Sequence, residues 1–256
     1  MALWDASEGG DYLDRRAVDD PPGTPALITI VVSGVTHVAY ASQSGEIVMC
    51  SAARVEYLSR WPDHDETDFA SVPEEGRVLL TLPGGTTCLG ASPTHILAGH
   101  RSGEVWSARL HGQPLPRLIT HHTAPVHAVA TVELDGQPHV ISGDDVGAVQ
   151  VTSFEAGLRH RLDGHTGAVF AITPVLLHGR PHVLTGGLDR SMRLWDVTSG
   201  RQFDVLWFPD TVFAIAVAQD GTVFAGVGPD VICLEPDARH LPLLPYTAPD
   251  RGHAIK

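Results

Sequence analysis

One stretch of this chain recurs at a fixed interval. Val126 to Gly143, VHAVATVELDGQPHVISG, lies over Val169 to Gly186, VFAITPVLLHGRPHVLTG, without a gap at an offset of 43 residues. The same offset carries Val169-Phe170-Ala171-Ile172 onto Val212-Phe213-Ala214-Ile215. A period of about 40–45 residues is the spacing of propeller blades, units that bury a continuous core only by stacking on their neighbours. That repeat constrains the fold more than any bulk property.

Within each period the apolar residues come in short runs bounded by turn residues, the pattern of strands rather than helices. Ala26 to Ser51 supplies ALITIVVSG, HVAYAS and EIVMCSA. Thr86 to Leu110 supplies TTCLGA, HILAG and EVWSARL. Each set reads as an inner strand, a middle strand and a third strand, with Ser-Gly before the third. A fourth, outer strand is expected near residues 78–82, 116–120, 158–162 and 202–207, and weakly near 240–244. Inner strands buried on both faces lose the alternation of a half-exposed strand. Gly (26) and Pro (19) are plentiful, as tight turns between many short strands require.

The fullest unit is Leu162 to Gly200. It opens on Gly164-His165 and runs through Ala168–Val175 and His182–Thr185. A Gly-Gly turn leads to Asp189, and Met192–Trp195 ends in Trp195-Asp196. This GH-to-WD spacing closely resembles the WD40 repeat. The resemblance implies an all-β propeller of four-stranded antiparallel blades. In that family a loop His, a middle-strand Ser or Thr, a turn Asp and a third-strand Trp form a hydrogen-bonded tetrad. Here these would be His165, Thr185, Asp189 and Trp195. A buried indole, hydroxyl and imidazole each need a partner, and a closed network satisfies them together. The same Thr-His-Asp set could be misread as a catalytic triad, but its hydroxyl falls on a packed middle strand.

Other units depart from the pattern. In the preceding one His122 and Ser142 match, but Val146 stands in place of the Asp and Thr152 in place of the Trp. In Thr86 to Leu110 the matching positions are Ala98, Ser102 and Ala108. Apolar strand packing is therefore expected to carry most of the stability there. A second set, His127, Phe170 and Phe213, recurs one per unit directly after the first Val of the inner strand, and Thr87 holds that place in the earlier unit. By resemblance this position opens onto the face where partners dock, and aromatic side chains make good contact anchors.

The ends complicate the count. Leu3-Trp4-Asp5 resembles Leu194-Trp195-Asp196, so the chain is expected to begin at a third strand, with an outer strand near residues 12–18. The reading is one domain over residues 1–256: about five complete blades, an N-terminal half-blade and an incomplete or open ring. Either a longer propeller is truncated, or a second chain completes it, or the ring closes imperfectly. An open edge invites self-association. Residues 52–76 read as an inserted acidic loop carrying Asp63, Asp65, Glu66, Asp68, Glu74 and Glu75.

Composition narrows the function. The net charge of −13 repels phosphate backbones, which argues against nucleic acid as a partner. No run approaches the about 20 apolar residues of a membrane helix. The acids at the N-terminus do not suit a signal peptide, and three scattered cysteines suit a reducing, cytoplasmic setting. His121, His122 and His127 suggest a metal site, but His122 and His139 fall on His165 and His182 in the repeat, so these are blade positions. Asp63-His64-Asp65-Glu66 lacks calcium-loop spacing. No metal, no cofactor and no nucleophile motif is expected. The leading expectation is a non-catalytic platform for protein–protein interaction, its partner unknown. The alternatives are a regulatory or sensor piece of a larger multidomain protein, and a propeller hydrolase or lyase using His and Asp at the channel mouth.

Overall fold

The computed structural model describes residues 26–32, 35–42, 45–51, 77–82, 85–113, 115–235 and 244–246. The N-terminal half-blade, the expected strand at 12–18 and the acidic insertion at 52–76 lie outside them. The described chain is all-β, with five antiparallel blades arranged as a propeller and no helix among the described residues.

Blade 1 is β1 (Leu27–Val32), β2 (Val35–Ala41), β3 (Glu46–Ser51) and β4 (Arg77–Thr81). Blade 2 is β5 (Thr86–Ala91), β6 (His95–His100), β7 (Glu104–Arg109) and β8 (Arg117–His121). Blade 3 is β9 (Val126–Leu134), β10 (Gln137–Asp144), β11 (Val149–Ser153) and β12 (Gly157–Leu162). Blade 4 is β13 (Val169–Leu177), β14 (Arg180–Gly187), β15 (Ser191–Asp196) and β16 (Arg201–Trp207). Blade 5 is β17 (Val212–Val217), β18 (Val223–Val227) and β19 (Asp230–Leu234), three strands among the described residues.

The sequence places an outer strand near 240–244, and this is corrected. Residues 240–243 lie outside the described set, and β20 (Leu244–Pro245) does not join β19. It pairs antiparallel with the inner strand β13, Leu244 opposite Leu176 and Pro245 opposite Val175. The inner strand of a blade keeps a free edge toward the central axis, and a short segment with a proline can add there because the proline's missing N–H is not needed on the outer side.

The blades are joined by a repeated seam. Gly99, Gly143 and Gly186 sit on the middle strands, where an added Cβ would come within 2.8, 2.8 and 2.5 Å of Val126, Val169 and Val212 of the next blade. Each of those valines is fully buried. A methyl group at any of these glycines would push the next inner strand away. Threonine hydroxyls add cross-blade bonds: Thr131 Oγ1 donates to Ala91 O at 3.3 Å and Thr173 Oγ1 to Ile215 O at 2.8 Å. Blade 1 packs on 2, 2 on 3, 3 on 4 and 4 on 5. Among the described residues no comparable seam joins blade 5 to blade 1.

Candidate functional site

Two constellations grow out of the repeat. The first is inside the blades. His165 stands in the loop between β12 and β13, and Thr185 on β14 is fully buried. Asp189 lies in the turn after β14, and Trp195 on β15 is 1% exposed. His165 Nδ1 bonds the Asp189 carboxylate at 3.0 Å and Nε2 meets Thr185 Oγ1 at 2.7 Å. The Trp195 indole N–H donates to the same hydroxyl oxygen at 2.8 Å. The polarity follows: the imidazole donates from Nδ1 to the carboxylate, so Nε2 accepts the threonine proton. Burial pushes the His165 imidazole below its ordinary value despite the Asp189 carboxylate, so it is neutral. Burial alone would raise the Asp189 carboxyl, but hydrogen bonds from Ser191 and His165 hold it below the usual range.

The set is larger than the tetrad. Ser191 Oγ donates to Asp189 at 2.8 Å and accepts from Arg193 Nε at 3.0 Å. Arg193 Nη1 donates to Gln202 at 2.6 Å, and its guanidinium lies over the Trp207 ring, 5.6 Å from the centroid. Sequence reasoning missed Ser191 and Arg193 because they occupy alternate positions on β15 that read as ordinary strand.

Blade 3 corrects the reading that its carboxylate is lost. Asp144, at the end of β10, takes the place expected at position 146. His122 Nδ1 bonds Asp144 at 3.0 Å and Nε2 meets Ser142 Oγ at 2.7 Å. The other Asp144 oxygen accepts from the backbone N–H of Val146 and of Ala148 at 3.1 and 2.8 Å. An Asp that binds the backbone two residues on is a turn-former, and Asp144-Asp145-Val146-Gly147 carries that signal. Thr152 Oγ1, at the tryptophan position, is buried and unpartnered. Blade 2 solves the problem differently: His100 Nδ1 meets Ser102 Oγ at 2.6 Å, and Ser102 and Trp106 both donate to Glu104.

Ser142, His122 and Asp144 have the contacts of a catalytic triad, yet their exposures are 0, 1 and 0%. A nucleophile must meet its substrate, and this hydroxyl is sealed, as is that of Thr185. Among the described residues no group of three His, Cys, Asp or Glu side chains is placed to hold a metal ion.

The second constellation faces the axis. At the start of each inner strand of blades 2 to 5 the ladder skips one residue: Thr87, His127, Phe170 and Phe213. A β-bulge leaves its extra residue unpaired and re-aims the side chain. Here the effect is a row. The His127 and Phe170 rings lie 5.4 Å apart and tilted, and Phe170 and Phe213 lie 5.4 Å apart and stacked. His127 Nε2 meets Asp145 Oδ1 at 2.9 Å. Phe213, at the end of the row, is 51% exposed. Thr87 faces the neighbouring blade instead, donating to Gly99 O at 3.0 Å and to Val126 O. The sequence offset thus picks three residues that the structure brings into one contiguous stack.

Five antiparallel sheets stacked in sequence as blades make a β-propeller. The family model described as "WD domain, G-beta repeat" matches residues 157–196. That span runs from β12 through β15, the outer strand of one blade and three strands of the next. A WD-repeat match over residues 157–196, set in a five-bladed ring, supports a WD40 propeller. No curated protein sequence matches it. Among solved structures, a chain of the "Mitotic Checkpoint Complex" crystal structure superposes with a TM-score of 0.66 at 15% identity, over 97% of this chain and 74% of that one. The computationally designed Ika8 protein gives 0.56 at 21% identity, over 78% of this chain and 55% of its own, so the match spans about half of Ika8. The designed Ika4 protein gives 0.51 at 24%, over 63% and 99%. These likenesses concern the fold alone.

Proposed function

We propose that this protein is a non-catalytic interaction scaffold whose partner docks on the row His127, Phe170 and Phe213. The observation that carries the reading is the bulge at each of these residues. A strand that only had to pack would keep its register. Instead one residue in each of blades 2 to 5 is turned out of the ladder, and in three consecutive blades it is an aromatic or imidazole ring in contact with the next. Rings held this way present area at little entropic cost, as interface anchors do. The buried hydroxyl–imidazole–carboxylate sets serve the blades, and their hydroxyls on Ser142 and Thr185 are sealed from solvent. The sparse, odd count of three cysteines supports a reducing, cytoplasmic setting.

The test is quantitative. A partner retained by the wild-type chain is titrated against the His127→Ala, Phe170→Ala double variant. The expected result is binding weaker by about tenfold or more, as for two interface anchors, with a thermal midpoint close to wild type. Equal affinity would place the docking surface elsewhere.

A further inference from the structure

The far ends of the inner strands hold a second surface. Phe170 begins β13, whereas Val175 and Leu176, near its end, pair with β20, about 20 Å further along at the rise of a strand. Blade 4 is the one sheet with five strands among the described residues, and its fifth is a short segment lying on the free inner edge. The next residue, Tyr246, crosses to the neighbouring blade. Its hydroxyl accepts the backbone N–H of Glu133 on β9 at 2.7 Å. One three-residue segment therefore occupies the inner edges of two blades at once.

Beside it is a cavity of about 420 Å³, walled by Ile28 of blade 1, Leu89 and Ala91 of blade 2, Val129 of blade 3 and Pro174 of blade 4, with Tyr246 as the remaining side. Its size is that of a small-ligand or side-chain pocket. Among the described residues the segment is held by two bridge residues, one hydroxyl contact and the packing of Tyr246 on the core of blades 3 and 4, and Leu244 is 42% exposed. Burial raises the Tyr246 hydroxyl above its ordinary value, so the ring enters as a neutral phenol.

We propose that the inner edge of β13, the Glu133 N–H and this cavity form a strand-addition groove for an extended peptide bearing an aliphatic residue, a proline and a tyrosine in succession, with residues 244–246 as its resident occupant. Backbone pairing on an open edge supplies affinity, and a pocket for one side chain supplies selectivity. The aliphatic residue and the proline lie along β13. The tyrosine reaches the Glu133 N–H and closes the cavity. A peptide of this chemistry on another protein takes the same place when the resident segment leaves. The surface is separate from the aromatic row, so either reading stands without the other.

The resident segment is tethered, with an effective concentration on the order of millimolar, so a free peptide registers only once it is displaced. The experiment uses the full chain and a fluorescein-labelled peptide of residues 241–249, LPLLPYTAP. The Leu244→Asp, Tyr246→Ala chain is expected to bind this probe at least about tenfold more tightly than the unaltered chain. A probe with alanine at the tyrosine should bind that variant about tenfold more weakly. Equal binding of the probe to both chains, or of both probes to the variant, overturns the groove. Should the double variant fail to fold, Tyr246→Phe decides: it removes only the hydroxyl contact, and a gain of about threefold in probe binding is expected. No gain with that variant overturns the proposal.

Discussion

Blades 3 and 4 were built from the same repeat and reach the same contacts by different routes. In blade 4 the carboxylate stands in the turn, at Asp189, and a tryptophan completes the network. In blade 3 it stands at the end of the middle strand, at Asp144, and the tryptophan position holds Thr152, whose hydroxyl has no partner. Both imidazoles are buried and both bridge a carboxylate to a hydroxyl at nearly equal distances. What the fold requires is a neutral imidazole with both nitrogens satisfied. The residue number of the acid is secondary, because two positions in the same turn can reach the same ring nitrogen.

The largest test of this equivalence is to remove each carboxylate in turn. Asp189→Ala and Asp144→Ala should each cost about 3 kcal/mol, since each leaves a buried imidazole N–H and further donors without an acceptor. Chemical denaturation would read it. A silent Asp144→Ala beside a damaging Asp189→Ala would show that blade 3 does not depend on its network.

One substitution should have opposite signs in the two blades. Thr185→Val removes the hydroxyl that serves both His165 and Trp195 and should cost about 2 kcal/mol. Thr152→Val replaces an orphan hydroxyl by a methyl of the same shape and should stabilise by about 1 kcal/mol. Two losses would mean that Thr152 has a partner in solution.

The smallest effect is on acid stability. Burial holds both His122 and His165 below their ordinary value of 6.5, in each case despite a carboxylate. The unfolded chain therefore binds protons first, and the stability these groups confer is full above pH 6.5 and lost as pH falls through their lower folded values. His139 and His95 are shifted the same way. Asp189, held below 3.8, adds a separate loss in stronger acid. The denaturation midpoint should be flat above neutrality and fall below pH 6.5. His122→Gln and His165→Gln should each shallow that fall to a similar degree; a slope unchanged by both would remove the histidines from the explanation.

Much of this was legible from the repeat. The offset of 43 aligned strands whose glycines and valines interlock, because each blade must fit the next in the same way. It also picked His127, Phe170 and Phe213, which share a bulge. It missed Asp144, since a gapless alignment cannot see an acid that moves two residues along a turn. It misplaced Leu244: the run reads as an outer strand, but the edge that takes it belongs to β13, and pairing between segments far apart leaves no local pattern. The Leu3-Trp4-Asp5 half-blade and the loop at 52–76 fall outside the described residues.

The glycine–valine seam has a thermodynamic consequence. Gly99, Gly143 and Gly186 each receive a valine from the next blade, whereas Gly226, the matching glycine of blade 5, meets only Ala214 of its own blade's inner strand, at 3.4 Å. Stability in a stacked array is close to a sum of unit and nearest-neighbour terms. A blade with two seams is held from both sides, and blade 5 among the described residues is held from one. Melting should then run inward from that end, amide exchange being fastest in β17–β19 and slowest in blades 3 and 4. Among the described residues the Phe213 end of the aromatic row thus sits on a unit whose glycine receives no valine from a next blade.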